Sequence, residues 1–143
     1  MDKNTDYDKI KELLKTNNLP YEDIISSKVE FITYKSNGYL VGCIGIEKYG
    51  EDGLLRSLEV DNEYKSTGIG KYLLNELISK SRNEGINKLH LLTTTADKYF
   101  ASKGFRNSER SNAPRAILNS KEFTEICPSN SIYMIVKLRC SHF

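Results

Sequence analysis

The segment GLLRSLEVDNEYKSTGIGKYLLNELISKSRNE, residues 53–84, changes its period halfway along. Residues 54–60 are mostly bulky and apolar, as in a half-buried or buried strand. A polar stretch, Asp61 to Lys65, follows. From Ile69 the apolar residues Ile69, Leu73 and Leu77 recur at helical spacing, flanked by Tyr72, Leu74 and Ile78, and give one broad apolar face. Gly85 is placed to end that helix. Between strand and helix stands Lys65-Ser66-Thr67-Gly68-Ile69-Gly70-Lys71, a turn of small residues at a helix start. Unpaired N–H groups and the helix dipole favour an anion there, and glycine lets a large one approach the backbone. A diphosphate is the expected ligand.

The flanks extend the pattern. Leu89-His90-Leu91-Leu92-Thr93 reads as a buried strand, so strand, helix and strand form a right-handed crossover with residues 54–60 and 89–93 parallel. Upstream, residues 29–34 and 39–49 flank Asn37-Gly38, a hairpin signal, and Asp52-Gly53 reads as the next turn. Asp6–Asn17 is predicted helical with Asp6 or Thr5 as N-cap, and residues 21–27 as a short second helix. Downstream, Thr95 or Asp97 caps a helix ended by Gly104. Residues 105–109 form a strand, Ala113-Pro114 opens a helix with Ala116, Ile117 and Phe123 on its apolar side, and residues 131–138 close the chain as a strand. The expected class is α/β with a mixed (α+β) sheet: an antiparallel meander, a βαβ unit, then a C-terminal helix and strand. No linker divides residues 1–143, which implies a single domain.

Composition narrows the function. The formal net charge of +2 is small and interspersed, which argues against nucleic acid. Three cysteines, Cys43, Cys127 and Cys140, without a C-x-x-C pair, argue against a disulfide framework or zinc site; no metal is expected. The charged start, MDKNTDYDKIKELL, does not resemble a signal peptide, and no apolar run approaches a membrane span. A cytoplasmic protein is expected.

The turn fits neither common nucleotide signature. A Walker A loop needs glycine where Lys65 stands and Ser or Thr where Tyr72 stands; a dinucleotide fingerprint needs glycine at Leu73. Leu58-Glu59-Val60, four residues, then Lys65-x-x-Gly68-x-Gly70 instead resembles the [Arg/Gln]-x-x-Gly-x-[Gly/Ala] hallmark of the GNAT superfamily of acyl-CoA-dependent N-acyltransferases, with lysine replacing the bidentate arginine. The later ADKYFASKGF is similar to that family's A-x-x-[Phe/Leu]-Tyr-x-x-x-Gly-Phe segment. GLLRSLEV, LHLLTTTADKYF and APRAILNSKEFTEICP further resemble the arsenic-resistance N-acetyltransferases of the ArsN type.

The resemblance implies acetyl-CoA as cosubstrate and a GNAT-type fold. Backbone groups at Leu58 and Val60 would pair with the pantetheine arm and polarise the thioester carbonyl. The N–H groups of Ser66, Thr67, Gly68, Ile69, Gly70 and Lys71, with Lys65, would cradle the diphosphate. Glu59 would take a proton through water or serve as an ion-paired strand carboxylate. The usual family tyrosine falls on Phe100, so either the adjacent Tyr99 or water protonates the leaving thiolate. Arg56 and Arg115 would grip an acceptor's carboxylate, arsinate or phosphinate group, or make ion pairs. Thr93 would contact the substrate and Thr94 the pantetheine. His90 and Cys127 read as structural. The expected partner is a small-molecule amine, an amino acid or an arsenic- or phosphorus-containing glutamate analogue, with a homodimer left open. A CoA-binding sensor or partner-binding module without turnover, and a protein or peptide N-acetyltransferase, are the alternatives.

Overall fold

The computed structural model describes residues 3–126 and 130–138; Cys127 and Cys140 lie outside them. The helices are α1 (Lys3–Thr16), α2 (Ile69–Asn83), α3 (Asp97–Ser102) and α4 (Arg115–Leu118), and the strands are β1 (Glu30–Ser36), β2 (Tyr39–Tyr49), β3 (Asp52–Val60), β4 (Lys88–Thr93), β5 (Arg106–Ser108) and β6 (Ile132–Lys137). They form one six-stranded mixed sheet in the order β1-β2-β3-β4-β6-β5. The meander is antiparallel, β3 and β4 are parallel, and β6 inserts between β4 and β5 with antiparallel pairing to both.

The long helix packs as its periodicity dictates. Ile69, Leu73, Leu74, Leu77 and Ser81 are buried, and the four apolar residues share one core with Ile44, Ile46, Leu55, Leu89 and Met134 of the sheet. Each large side chain so buried contributes about 1.5–3 kcal/mol. Gly42 makes the close approach possible, since a Cβ there would sit 3.1 Å from Ile69 and from Leu73. On the opposite face α1 covers Val29 and Cys43 through Ile10, Leu13 and Leu14, while Ala113, Ile117, Phe123 and Tyr133 cover Leu54.

Several local expectations are corrected. The first helix already runs from Lys3, so Thr5 and Asp6 lie inside it. Residues 22–28 form consecutive turns rather than a helix: Asp23 turns its carboxylate to Arg56 and Ser27, and Lys28 breaks any continuation at φ 55°. The turn before β3 is Gly50-Glu51, with Asp52 and Gly53 already in the ladder. Neither Thr95 nor Asp97 caps α3; Ala96 is its N-cap. Ala116 is exposed, and Ala113 takes its place in the core.

His90 is fully buried, with Nε2 2.8 Å from Asp52 Oδ1 and Nδ1 2.7 Å from the Tyr133 hydroxyl. Burial lowers its pKa below the usual 6.5, against the pull of Asp52. The neutral ring therefore donates to the carboxylate and accepts from the phenol. A group with a depressed histidine pKa stabilises the fold above the unfolded value, and that stability drains as the pH falls below about 6.5. The melting temperature should decline on acidification through this window, and His90→Phe should flatten that part of the profile.

Candidate active site

β3 and β4 pair at only three positions, Asp52↔Lys88, Gly53↔Leu89 and Leu54↔His90. Beyond these, β3 continues on β2 as far as Val60 while β4 continues on β6 to Thr93. Their C-terminal halves therefore flank an opening. A bulge accompanies the parting: Gly45 faces Arg56 and Cys43 faces Glu59, leaving Ser57 and Leu58 opposite Ile44 alone. Ser57 adopts φ 59°, left-handed and costing roughly 1–3 kcal/mol for a non-glycine residue. The Cys43 thiol donates to the Ser57 carbonyl at 3.3 Å, and Arg56 Nε donates to its hydroxyl at 3.2 Å. Burial, above all, raises that thiol to a pKa of about 12, so it remains a donor.

Strand alternation fixes what faces the opening. Gly42 stands opposite Val60, and the Asp61 N–H bonds the Val41 carbonyl at 2.7 Å. Val60 thus belongs to a non-hydrogen-bonded pair, and its own N–H turns away from β2 toward β4. Leu58, two residues earlier, shares that direction.

The turn continues the same wall. Ser66 and Gly68 both have left-handed backbone, at φ 68° and 89°, and the Thr67 hydroxyl donates to the Tyr64 carbonyl. The first α2 hydrogen bond runs from Tyr72 N–H to Gly68 C=O at 3.0 Å, so Ile69, Gly70 and Lys71 have no acceptor within the helix. No side chain caps this end, and its first turn has no acidic residue. A Cβ on Gly68 would meet nothing within 4 Å, and one on Gly70 would lie 3.7 Å from the Tyr99 hydroxyl. An extended arm along Leu58–Val60 ending in a diphosphate at this helix start fits the residues present.

Most of the expected residues gather here. Thr94 is exposed beyond the end of β4. The Thr93 hydroxyl accepts the Ala96 N–H at 2.9 Å and keeps its own O–H to donate. Tyr99 is partly exposed and beside Gly70, and burial raises its phenol pKa. Phe100 turns inward against Phe105, ring centroids 5.5 Å apart. Glu59 and Lys65 are joined at 2.6 Å.

Arg56 is not a free cation for substrate. It is 3% exposed, bonded bidentately to Asp23 at 2.6 and 2.7 Å and to Glu47 at 2.9 Å, with Glu122 3.9 Å away. Tyr49 also donates to Glu47. Burial alone would lower the arginine's pKa, but Asp23, Glu122 and Glu47 hold it raised. Burial likewise pushes Asp23 up, yet hydrogen bonds from Arg56 and Ser27 leave it lowered. Sequence reasoning missed these three carboxylates; the signal was an arginine inside an apolar strand, which demands buried partners. Arg115 is exposed on α4.

The Acetyltransferase (GNAT) family matches residues 5–105, and the chain belongs to that family. It is 33% identical over 111 residues to the amino-acid acetyltransferase of Pseudomonas putida (strain GB-1), covering 71% of this chain and 26% of that protein. It is 31% identical over 87 residues to the amino-acid acetyltransferase of Neisseria meningitidis serogroup A, covering 59% and 20%. The matched segments thus span about a quarter or less of those relatives. N-acetylglutamate synthase from Neisseria gonorrhoeae, solved with coenzyme A and N-acetyl-glutamate, superposes with a TM-score of 0.77 at 24% identity, over 92% of this chain and 32% of that one. Rv2747 from Mycobacterium tuberculosis, solved with CoA, superposes at 0.78 and 19% identity, over 94% and 95%.

Arg56→Met should cost about 3–5 kcal/mol in urea denaturation, because it leaves buried carboxylates uncompensated. Joint replacement of Asp23, Glu47 and Arg56 by apolar residues should recover much of that loss.

Proposed function

We propose that the chain transfers the acetyl group of acetyl-CoA to the amine of a small amino acid or analogue. The observation that carries this reading is the parting of β3 from β4 beside an uncapped helix start. Bound acetyl-CoA would supply the activated acetyl group. The N–H groups of Leu58 and Val60 would hold its arm and stabilise charge on the thioester oxygen, an interaction whose loss costs several kcal/mol in comparable sites. The N–H groups from Ser66 to Lys71, with the Lys65 ammonium, would hold the diphosphate. Glu59 would receive the amine's proton through water, and Tyr99, protonated at neutral pH, would return one to the sulfur. The amine nitrogen bonds the carbonyl carbon as the carbon–sulfur bond breaks, so no enzyme nucleophile is required.

For the acceptor, the relatives named as amino-acid acetyltransferases support an amino acid. The segments similar to the ArsN type support an arsenic- or phosphorus-containing glutamate analogue. With Arg56 committed internally, Arg115 is the proposed partner of the acceptor's acidic group.

Incubation with acetyl-CoA and a panel of amino acids and their phosphinic and arsinic analogues should release CoA thiol with at least one of them. Stabilisation by CoA with no thiol release from any acceptor would instead support a sensor. Gly70→Asp should weaken CoA binding about tenfold or more, the scale of one hydrogen bond to a charged group, measured by calorimetry. Tyr99→Phe should lower kcat about a hundredfold, the low end for acid–base catalysis; unchanged turnover would remove Tyr99 from the reaction.

A further inference from the structure

The Glu59 carboxylate occupies the donors that a ligand would need. Its Oε1 accepts the Lys65 ammonium at 2.6 Å and the Val60 N–H at 3.0 Å. That N–H points into the opening between β3 and β4, where no strand pairs with it. The Glu59 side chain is 11% exposed and that of Lys65 49%. One oxygen therefore bridges the backbone donor of the strand to the cation at the entrance of the turn. An arm laid along β3 and carrying acceptors at both places would repeat those two contacts.

The geometry points to Glu59 as an internal stand-in for the cofactor: in the free protein its carboxylate satisfies Val60 and Lys65, and the cofactor displaces it. This rests on the acetyl-CoA reading of the same cleft. Displacement has a cost: the cofactor's apparent affinity is reduced by the work of breaking the Glu59 contacts, since a group bound to the site competes with the ligand. The displaced carboxylate is then free to turn away from Val60 and Lys65 into the opening.

The test compares CoA and pantetheine, which lacks the phosphates, by calorimetry and by amide NMR titration. Wild-type protein, Glu59→Ala and the volume-preserving Glu59→Gln are compared. Glu59→Ala should bind both ligands about two- to fivefold more tightly, the scale of one partly exposed ion pair. Glu59→Gln, which keeps a weaker acceptor, should fall between Ala and wild type and covers the case in which Ala fails to fold. The Val60 amide resonance of the free protein should move on either substitution. Unchanged or weaker binding overturns the inference. A gain confined to CoA also overturns it, because that would be charge repulsion of the phosphates rather than occupation of Val60. Absence of CoA binding in all three proteins would bring down the cofactor reading itself, a result distinct from equal binding in all three.

Discussion

The cleft depends on where two parallel strands stop pairing, and His90 marks that place. It is the last β4 residue in register with β3, opposite Leu54. Its ring bonds Asp52 at the start of β3 and Tyr133 on β6. Three strands are thus tied by one neutral imidazole just before two of them part. A parallel pair would otherwise gain by continuing its ladder, since each unpaired backbone group that loses water costs free energy. Beyond Leu54, β6 still holds β4 through Thr93 and β2 still holds β3 through Val60 on their outer edges. The edges that face each other are therefore held in place with their backbone groups unpaired by any strand.

The bulge at Ser57 carries a second cost, and a surrounding charge network holds it in place. Arg56 brings together the turns before β1, strand β2 and the segment after α4 through Asp23, Glu47 and Glu122. Its Nε reaches the hydroxyl of the strained residue. Buried ion clusters add little net stability relative to apolar packing. Their geometric demand is severe, however, and here it fixes the strand beside the backbone groups that line the cleft. Strain next to an over-determined contact persists where looser packing would let it relax.

The parts of this architecture governed by local chemistry could be read from the residues. The apolar spacing from Ile69 to Leu77 gave α2 its face, Gly85 its end, and the Lys65–Lys71 turn an uncapped helix start. Parallel pairing followed from the strand–helix–strand order. What escaped depended on distant residues meeting. Asp23 and Arg56 are 33 positions apart, so neither the buried guanidinium nor the loss of the second helix at residues 22–28 could be seen from spacing. Gly42 and Gly45 inside one strand already signal a bulge or close packing, and both occur; the exact register, with Gly45 opposite Arg56, is long-range. Insertion of β6 between β4 and β5 is likewise a long-range choice. Tyr99 and Phe100 show the boundary between the two kinds of inference: their angular separation on a helix was predictable, but which one would meet Gly70 was decided by Phe105 drawing Phe100 inward.

The internal use of Arg56 bears on the kind of acceptor the cleft can take. An acceptor with an acidic group must find a cation, because burying an unpaired anion is costly. Around Arg56 the carboxylates of Asp23, Glu47 and Glu122 gather on one guanidinium, and all four residues are buried. The Arg56 guanidinium therefore offers nothing to an acidic acceptor, whose negative end would need a cation elsewhere. An acidic acceptor would have to turn its negative end toward exposed positive charge, such as Lys121 or Arg115. On the amino-acid reading proposed above, orientation of the acceptor would therefore fall to surface cations rather than to Arg56.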